Sequence, residues 1–409
     1  MRSVVLCATL AAVLLPSRAG AQSLSLTEAD VLARLSPDSP RVRAIRAGTD
    51  VARAEALSAG RWPNPRVTVD RESVAGVTEY LTMVAQPLPV TGRRRLEMQA
   101  ASALVEASAT RTDDVLRRAR ADLRLAYAQL LAAQARERSL TSARDRLRDL
   151  ADILAKRESA GDTAGFDRLR ADREVSDLDA DLSAAATDRS RAQAAIASFF
   201  ADAPEPSRIV ASAPPVAAAA ADLPQIDALV DRALNVRGEL LALQKEAAAA
   251  RLSAGAADRR RIPEPEIVAG TKSSTFGGGD IGSVFTLQAV VPLFDRGKPE
   301  RALAEARGKQ ADAQADMFRI TLRSEITALR AEVLEHRQTA SRYRASAVSG
   351  SAEIERVARV SYDAGERGIL ELLDAYRTGS TARARQAALD LAARQAEIEL
   401  EFVSGWEIR

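Results

Sequence analysis

The chain has one cysteine, one histidine and few aromatic residues, which make up 4% of it. The cysteine, Cys7, lies inside a stretch that reads as an export signal. Arg2 gives a positive start, Val4 to Leu15 is a short apolar run, and Ala19-Gly20-Ala21 is an A-x-A cleavage site before Gln22. That run is too short for a spanning helix with this flank. Cys7 is not at the cleavage point, where a lipid-anchored precursor would need it. With residues 1–21 removed, the mature chain is expected to carry no thiol, disulfide or lipid anchor, which fits a periplasmic or outer-membrane destination. The scarcity of aromatics argues against a thick globular core. His336 sits in Glu332-Val333-Leu334-Glu335-His336, which lacks the second histidine of a zinc helix, and reads as a surface residue. With so few sulfur and imidazole ligands, neither a metal site nor a cofactor is expected.

Charge of one sign is missing as well. The formal net charge is +2, and it falls to zero when Arg2 and Arg18 leave with the signal, so no basic field is available for nucleic acid. No later segment is apolar over about eighteen residues, so no membrane-spanning helix is expected. The run Gly277-Gly278-Gly279 lacks the lysine and following helix of a phosphate loop and reads as a flexible surface loop. No nucleophile–base pair stands out, and an enzyme is not expected.

Alanine, leucine, arginine, aspartate and glutamate dominate instead, the composition of long helices with narrow apolar seams. From Arg93 to about Glu158 there is neither proline nor glycine. Leu116, Leu123 and Leu130 recur every seven residues, as do Ala119, Ala126, Ala133, Leu140, Leu147 and Leu154. That spacing predicts a coiled-coil seam, with alanines that let helices approach closely.

The long helix opens at Gln86-Pro87-Leu88-Pro89-Val90-Thr91-Gly92-Arg93-Arg94-Arg95, where a strand-like segment ends. Val290-Val291-Pro292-Leu293-Phe294-Asp295-Arg296-Gly297-Lys298 repeats the arrangement, with Pro292, Leu293 and Gly297 matching Pro87, Leu88 and Gly92 at one offset. The prolines should stop a strand ladder, and the glycines should permit the bend into a helix. Ahead of each junction stand a helix (residues 25–59 and 225–260), a double-proline break (Pro63 and Pro65; Pro263 and Pro265) and two strands. The strands are expected at 66–74 and 79–86, joined by Ala75-Gly76-Val77, and at 266–272 and 283–291, joined by residues 273–282. In the last strand Phe285, Leu287, Ala289 and Val291 share one face, and Thr286 and Gln288 the other. After each junction comes a long helix, ending at Gly161–Gly165 or at Gly365–Gly368, and a returning helix, 166–200 or 369–406. The chain thus reads as a signal (1–21), a first unit (22–200), a Pro/Ala-rich linker (201–224) and a second unit (225–409), an internal duplication.

Each unit supplies two strands nearly long enough to cross a bilayer when tilted. Four strands cannot close a barrel, and an open edge is not tolerated in lipid, so other copies must complete it. Three copies would give twelve strands, with the helices bundled into a tube beyond. Trp62 and Tyr80 open the two strand regions of the first unit, where either an interfacial aromatic belt or simple packing would place them.

On these residues the chain resembles the TolC-like outer-membrane efflux proteins, from about residue 24 to 406. The resemblance rests on the two-fold pattern, the two junctions and the two tip segments. It implies a mainly α fold with a small transmembrane β part: long helices forming an α-barrel, and four strands contributing to a trimeric 12-stranded β-barrel. It also implies a homotrimeric channel in the outer membrane, extending into the periplasm. Such a channel is the exit duct of a tripartite pump, with a periplasmic adaptor and an inner-membrane transporter as partners. The junction and the run from Tyr362 to Ala375 resemble the branch serving cation and heavy-metal pumps. The alternatives are a duct for secreted proteins and a coiled-coil scaffold without a channel. A pump adaptor has a single helical hairpin, whereas two are expected here.

The same resemblance implies functional residues. Asp167, Tyr362 and Arg367 match a group that latches neighbouring helix pairs at the closed end of the tube by a hydrogen bond and a salt bridge. Glu371 and Asp374 match lumen-facing carboxylates that would form stacked acidic rings in a trimer, with glutamate at the first position where the family usually has aspartate. The tips at Gly161, Gly165, Gly365 and Gly368 would meet the adaptor. Without the resemblance, these positions read as solvated charges, an ordinary polar helix face and plain hairpin turns.

Overall fold

The computed structural model describes residues 23–161, 165–202, 204–212 and 222–407. The signal and its Cys7 lie outside the described residues, as do Asp162, Thr163 and Ala164 of the first tip and most of the Pro/Ala-rich stretch.

The chain enters as a short strand, β1 (Leu24–Leu26), followed by helices α1 (Glu28–Ala33) and α2 (Pro40–Ala59). The single helix expected over 25–59 is therefore divided. Thr27 and Asp30 form a reciprocal capping box that starts α1. Pro37 and Pro40 cannot continue a helix, and α2 restarts with Ser39 capping Val42 N at 3.3 Å and Pro40 in the first turn.

Strands β2 (Arg66–Val74) and β3 (Val77–Pro87) form a hairpin. Its turn is two residues, Ala75 and Gly76, both left-handed, and Val77 pairs with Val74 rather than lying in the turn. Helix α3 then runs from Arg93–Ser159, roughly 100 Å at 1.5 Å per residue. The seven-residue series expected as a seam is buried from Ala119 to Leu154, with Leu123 and Leu130 fully so. Helix α4 (Gly165–Ala197) returns beside it.

Residues 204–212 are not a plain linker. Pro206–Arg208 makes one tight helical turn, and β4 (Ile209–Ala211) pairs in parallel with β1. Tyr127 of α3 holds this pair: its hydroxyl shares a proton between the carbonyls of Leu26 (3.0 Å) and Ser212 (2.8 Å). Gln193 donates to Ile209 O and Gln134 accepts from Ala211 N. Ile209 is buried with Val31, Leu123, Leu130 and Phe200 in one apolar cluster.

The expected helix over 225–260 is also two, α5 (Ile226–Val236) and α6 (Gly238–Asp258). Asp114 of α3 causes the break by accepting from Gly238 N (3.2 Å) and Arg237 Nε (3.3 Å). Arg237 turns extended, its guanidinium between the rings of Phe318 and Phe402. Strands β5 (Pro265–Ser274) and β6 (Ile281–Ala289) follow. Then α7 (Lys298–Tyr343) passes through one wider π turn at Arg344–Val348 into α8 (Ser349–Asp363), and α9 (Ile369–Ser404) returns. The uninterrupted helix expected from 298 to 363 is thus one run with a π insertion.

The larger sheet has order β2-β3-β5-β6, all antiparallel, so β2 and β6 are both edge strands in the single chain. Strand β6 ends at Ala289, two residues short of expectation, because its partner β5 begins at Pro265, opposite Ala289. Val291 is therefore outside the strand. The prolines divide their work differently too. Pro87 ends β3, but the tight turns with i→i+2 bonds, Val90 N to Leu88 O and Leu293 N to Val291 O, centre on Pro89 and Pro292. The fixed φ of proline suits that position.

Both junction glycines are left-handed and cap their helices, Gly92 (φ 77°) before α3 and Gly297 (φ 72°) before α7. A Cβ on Gly92 would meet nothing, whereas one on Gly297 would lie 2.2 Å from the carbonyl oxygen of Ala257. Gly92→Ala should therefore cost about 1 kcal/mol, the penalty of the left-handed backbone alone. Gly297→Ala should cost clearly more, because α6 must also move. The thermal midpoints of the two variants check this. Glu28 gives a second expectation. Burial opposes its ionisation, but Arg394 (3.0 Å) and Arg124 (2.5 Å) outweigh burial and hold its carboxyl below the usual range. A lowered value means stability that is complete at neutral pH and lost as pH falls through that value. Glu28→Gln should flatten this acid limb of the stability–pH curve, measured by thermal melting across the acid range.

Candidate functional site

Two regions carry the candidate residues: the tips of the helix hairpins and the four-stranded sheet. At the tips α3, α4, α8 and α9 converge on one apolar cluster built from Leu147, Leu150, Leu154, Ala171, Ile369, Leu372, Leu373 and Tyr376. Gly161 (φ 82°) and Gly365 (φ 74°) supply the left-handed step that ends the descending helices. Gly165 and Gly368 do other work. Gly165 opens α4 directly against the carboxylate of Glu158, which accepts from Arg168 Nε at 2.5 Å. Gly368 is the extended N-cap of α9.

Tyr362 stands in the last turn of α8, Arg367 in the exposed turn after it, and Asp167 in the first turn of α4. The single chain does not bring these three into one bonded group. The Tyr362 ring lies under the guanidinium of Arg157 on α3, 5.7 Å from the ring centre, and its phenol oxygen accepts from Arg157 Nη1 at 3.5 Å. Among the described residues neither Asp167 nor Arg367 makes a side-chain ion pair. Glu371 and Asp374 share the exposed stripe of α9, opposite buried Leu372, Leu373 and Tyr376, as their spacing requires. Asp374 and Arg377 together line a groove at the π turn, with Tyr343, Gly350 and Ile354 across it.

One residue that sequence reasoning missed stands out. Glu355 of α8 is 8% exposed, and its carboxylate is held by Arg146 of α3 (2.9 Å) and Arg383 of α9 (2.6 Å). It is one acid among many in a charge-rich helix, and no local pattern marks it.

The register of the sheet sorts its side chains into two faces. On one lie Val67 and Val69 of β2, Tyr80 and Val84 of β3, Ile267 of β5, and Ile281, Phe285 and Leu287 of β6, with Arg71, Thr82 and Thr271 among them. All but Ile267 are exposed in the single chain. On the other lie Arg66, Asp70, Glu72, Glu79, Glu266, Lys272, Thr286 and Gln288, with Leu81, Met83, Val268 and Val284 among them. Lys272 pairs with Glu79 at 2.7 Å, and Gln288 donates to Glu266 at 2.8 Å. The division read from β6, Phe285, Leu287 and Ala289 against Thr286 and Gln288, continues in Val67 and Val69 of β2, whereas β3 turns Leu81, Met83 and Ala85 to the charged face and Thr82 and Gln86 to the other. Trp62 and Tyr80 each lie near an arginine, Arg94 at 5.4 Å and Arg71 at 5.8 Å from the ring centres.

Residues 229–405 match the model of the outer membrane efflux protein family. No curated protein matches the chain. Among solved structures, a membrane protein from Pseudomonas aeruginosa is 20% identical, with a TM-score of 0.78 over 92% of this chain and 93% of that one. The CmeC outer membrane channel of Campylobacter jejuni is 14% identical, with a TM-score of 0.76 over 92% and 85%. CusC, solved in a study of folding and transmembrane channel formation, is 15% identical, with a TM-score of 0.75 over 94% and 93%. Residues 229–405 are thus similar to the outer membrane efflux protein family, and the chain as a whole shares the fold of these solved outer-membrane channels.

The two sheet faces make a direct expectation. Leu287→Arg and Gln288→Arg place the same charge at adjacent positions of β6 on opposite faces. If the apolar face meets lipid, Leu287→Arg should cost up to about 2–4 kcal/mol and Gln288→Arg little. The yield of heat-modifiable, folded protein in the outer-membrane fraction reads the difference.

Proposed function

We propose that three copies of this chain form an outer-membrane channel-tunnel that serves as the exit duct of a tripartite efflux pump. The observation that carries this is the sheet. It has four strands, two unpaired edges, one face that bears the large exposed apolar side chains and another that bears most of the charges. Strand edges in lipid must be paired, and three such sheets joined edge to edge give twelve strands with the apolar face outward and the charged face around a wet lumen. Helix α3, roughly 100 Å long, then carries the wall across the periplasm. The outer-membrane channel fold of its structural relatives supports the location, and the matching element order around the two junctions supports a duplicated chain.

In this reading the latch acts between neighbouring helix pairs of different copies. Asp167 and Arg367, which lack ion-pair partners among the described residues of one chain, meet there, and Tyr362 stands beside them. Three copies set Glu371 and Asp374 in two acidic rings that favour cations. The tips at Gly161, Gly165, Gly365 and Gly368 dock the periplasmic adaptor, which links the duct to an inner-membrane transporter. Metal cations or small toxic compounds are the proposed cargo. The run Tyr362–Ala375 and the junction sequence support the cation branch.

Single-channel conductance of purified trimers in a planar bilayer tests this. Wild type should show small, cation-selective conductance. Tyr362→Phe with Arg367→Ser should raise it several-fold, and Glu371→Ala with Asp374→Ala should weaken the cation preference. Well-folded trimers that never conduct would sink the channel reading.

A further inference from the structure

The face of the sheet that carries Phe285 and Leu287 changes character along its height. In the rows nearest the junctions it is mainly apolar, with Ile267 beside Leu287 and then Val67, Val84 and Phe285 in the next row. Gln86, the polar residue at that end, donates its amide to the carbonyls of Pro63 and Pro87, both at 3.0 Å. Towards the hairpin turns hydroxyls take over. Thr82, Thr271 and Ser283 share one row with Val69, and nearer the turn Ser73 stands opposite Thr78, their hydroxyl oxygens 3.2 Å apart. Between those two rows is the one charged strand residue of this face, Arg71, directly opposite Tyr80.

Arg71 differs from the other strand cations. Arg66 and Lys272 lie on the opposite face, paired with Glu266 at 3.7 Å and Glu79 at 2.7 Å. Arg71 is exposed and makes no ion pair among the described residues; its neighbour is the Tyr80 ring, whose centre is 5.8 Å from the guanidinium. No aspartate or glutamate of the four strands shares its face, since Asp70, Glu72, Glu79 and Glu266 all alternate to the other. A second copy supplies none either: the β6 edge that would come beside β2 presents only Ile281, Ser283, Phe285, Leu287 and Ala289 there. A guanidinium without a counter-ion is disfavoured within hydrocarbon and tolerated at headgroup depth. Arg71 stands about 10 Å along the strand from Val74, the last residue of β2, at roughly 3.4 Å per residue. Strand tilt shortens that height, and the long side chain spans most of the remainder.

We propose that Arg71, with the hydroxyls of Tyr80 and Ser73 beside it, binds the phosphate of a lipid headgroup in the leaflet that surrounds the hairpin-turn end of the barrel. The proposal rests on the channel reading, which sets this face against lipid. The missing counter-charge of Arg71 is then supplied by the membrane itself. A guanidinium presents a fork of donors that matches two phosphate oxygens, and neighbouring hydroxyls add further donors. Tyrosine suits the same depth, with its ring towards the chains and its hydroxyl towards water.

The test titrates the purified full-length protein with phosphatidic acid and with the diacylglycerol of the same chains, and counts bound lipid by native mass spectrometry. Wild type should prefer the phosphorylated lipid by about tenfold, the scale of one hydrogen bond to a charged group. Arg71→Leu should abolish that preference and Arg71→Lys should keep part of it. Lys272→Met, which removes a cation from the opposite face, should leave it unchanged. Should Arg71→Leu not assemble, Arg71→Gln, polar but uncharged, carries the same comparison. Equal preference in wild type and Arg71→Leu overturns the proposal. Displacement of the lipid by an equal concentration of inorganic phosphate marks a free-anion site and overturns it too. A separate arm tests the channel reading: a bimane label on Phe285→Cys in vesicles of brominated-chain phosphatidylcholine should be quenched. No quenching refutes the lipid-facing assignment, and the proposal with it. Quenching without a phosphate preference refutes the proposal alone.

Discussion

An incomplete sheet constrains the rest of this molecule. In the single chain its four strands leave two edges unpaired and large apolar side chains exposed on one face, a liability in water and not tolerated at an edge in lipid. The junctions at Pro89–Gly92 and Pro292–Gly297 turn each descending strand into a helix, so the sheet's need for neighbours passes to the helices. In this way a small β part, formed by residues 66–87 and 265–289, sets the arrangement that the long helices must adopt.

Those helices are held together by an economy that fits their composition. Instead of one aromatic core there is a row of small apolar clusters: one around Tyr127 and Ile209, one at Leu322 and Ile326, and one at the tips. Between them run arginine–carboxylate pairs such as Arg118–Glu399, Arg337–Glu397 and Arg111 with Glu239 and Glu246. Most are partly exposed, so each contributes little alone. Their fork geometry nevertheless fixes which helix lies beside which, at positions where alanine seams provide close approach but little discrimination. Buried members of the set, Asp114 and Glu355, mark places where a helix breaks or where two hairpins join.

Much of this was legible in the chain because it follows from short-range rules. The seven-residue series through Leu116 and Ala119 marks the buried face of α3. Gly92 and Gly297 mark bends that need a left-handed residue. The alternation in β6 separates Phe285 and Leu287 from Thr286 and Gln288. Other features were not legible, because their causes lie far away along the chain. The break at Arg237 exists because Asp114 captures Gly238 N. Strand β4 forms inside an apparent linker because β1 lies ready to pair with it. Strand β6 stops at Ala289 because β5 starts at Pro265. Tyr362 turns to Arg157, a residue about two hundred positions away.

By itself, then, the sequence determined the long helical run of α3, the alternation of β6 and the sites of bending at the two junctions. Each depends on periodicity or on one residue's backbone freedom, within reach of a few neighbours. Only the tertiary structure decided where helices divide, which strands pair and which charges meet. Those outcomes depend on a donor or an acceptor supplied from another part of the chain, and no local pattern records which one it will be.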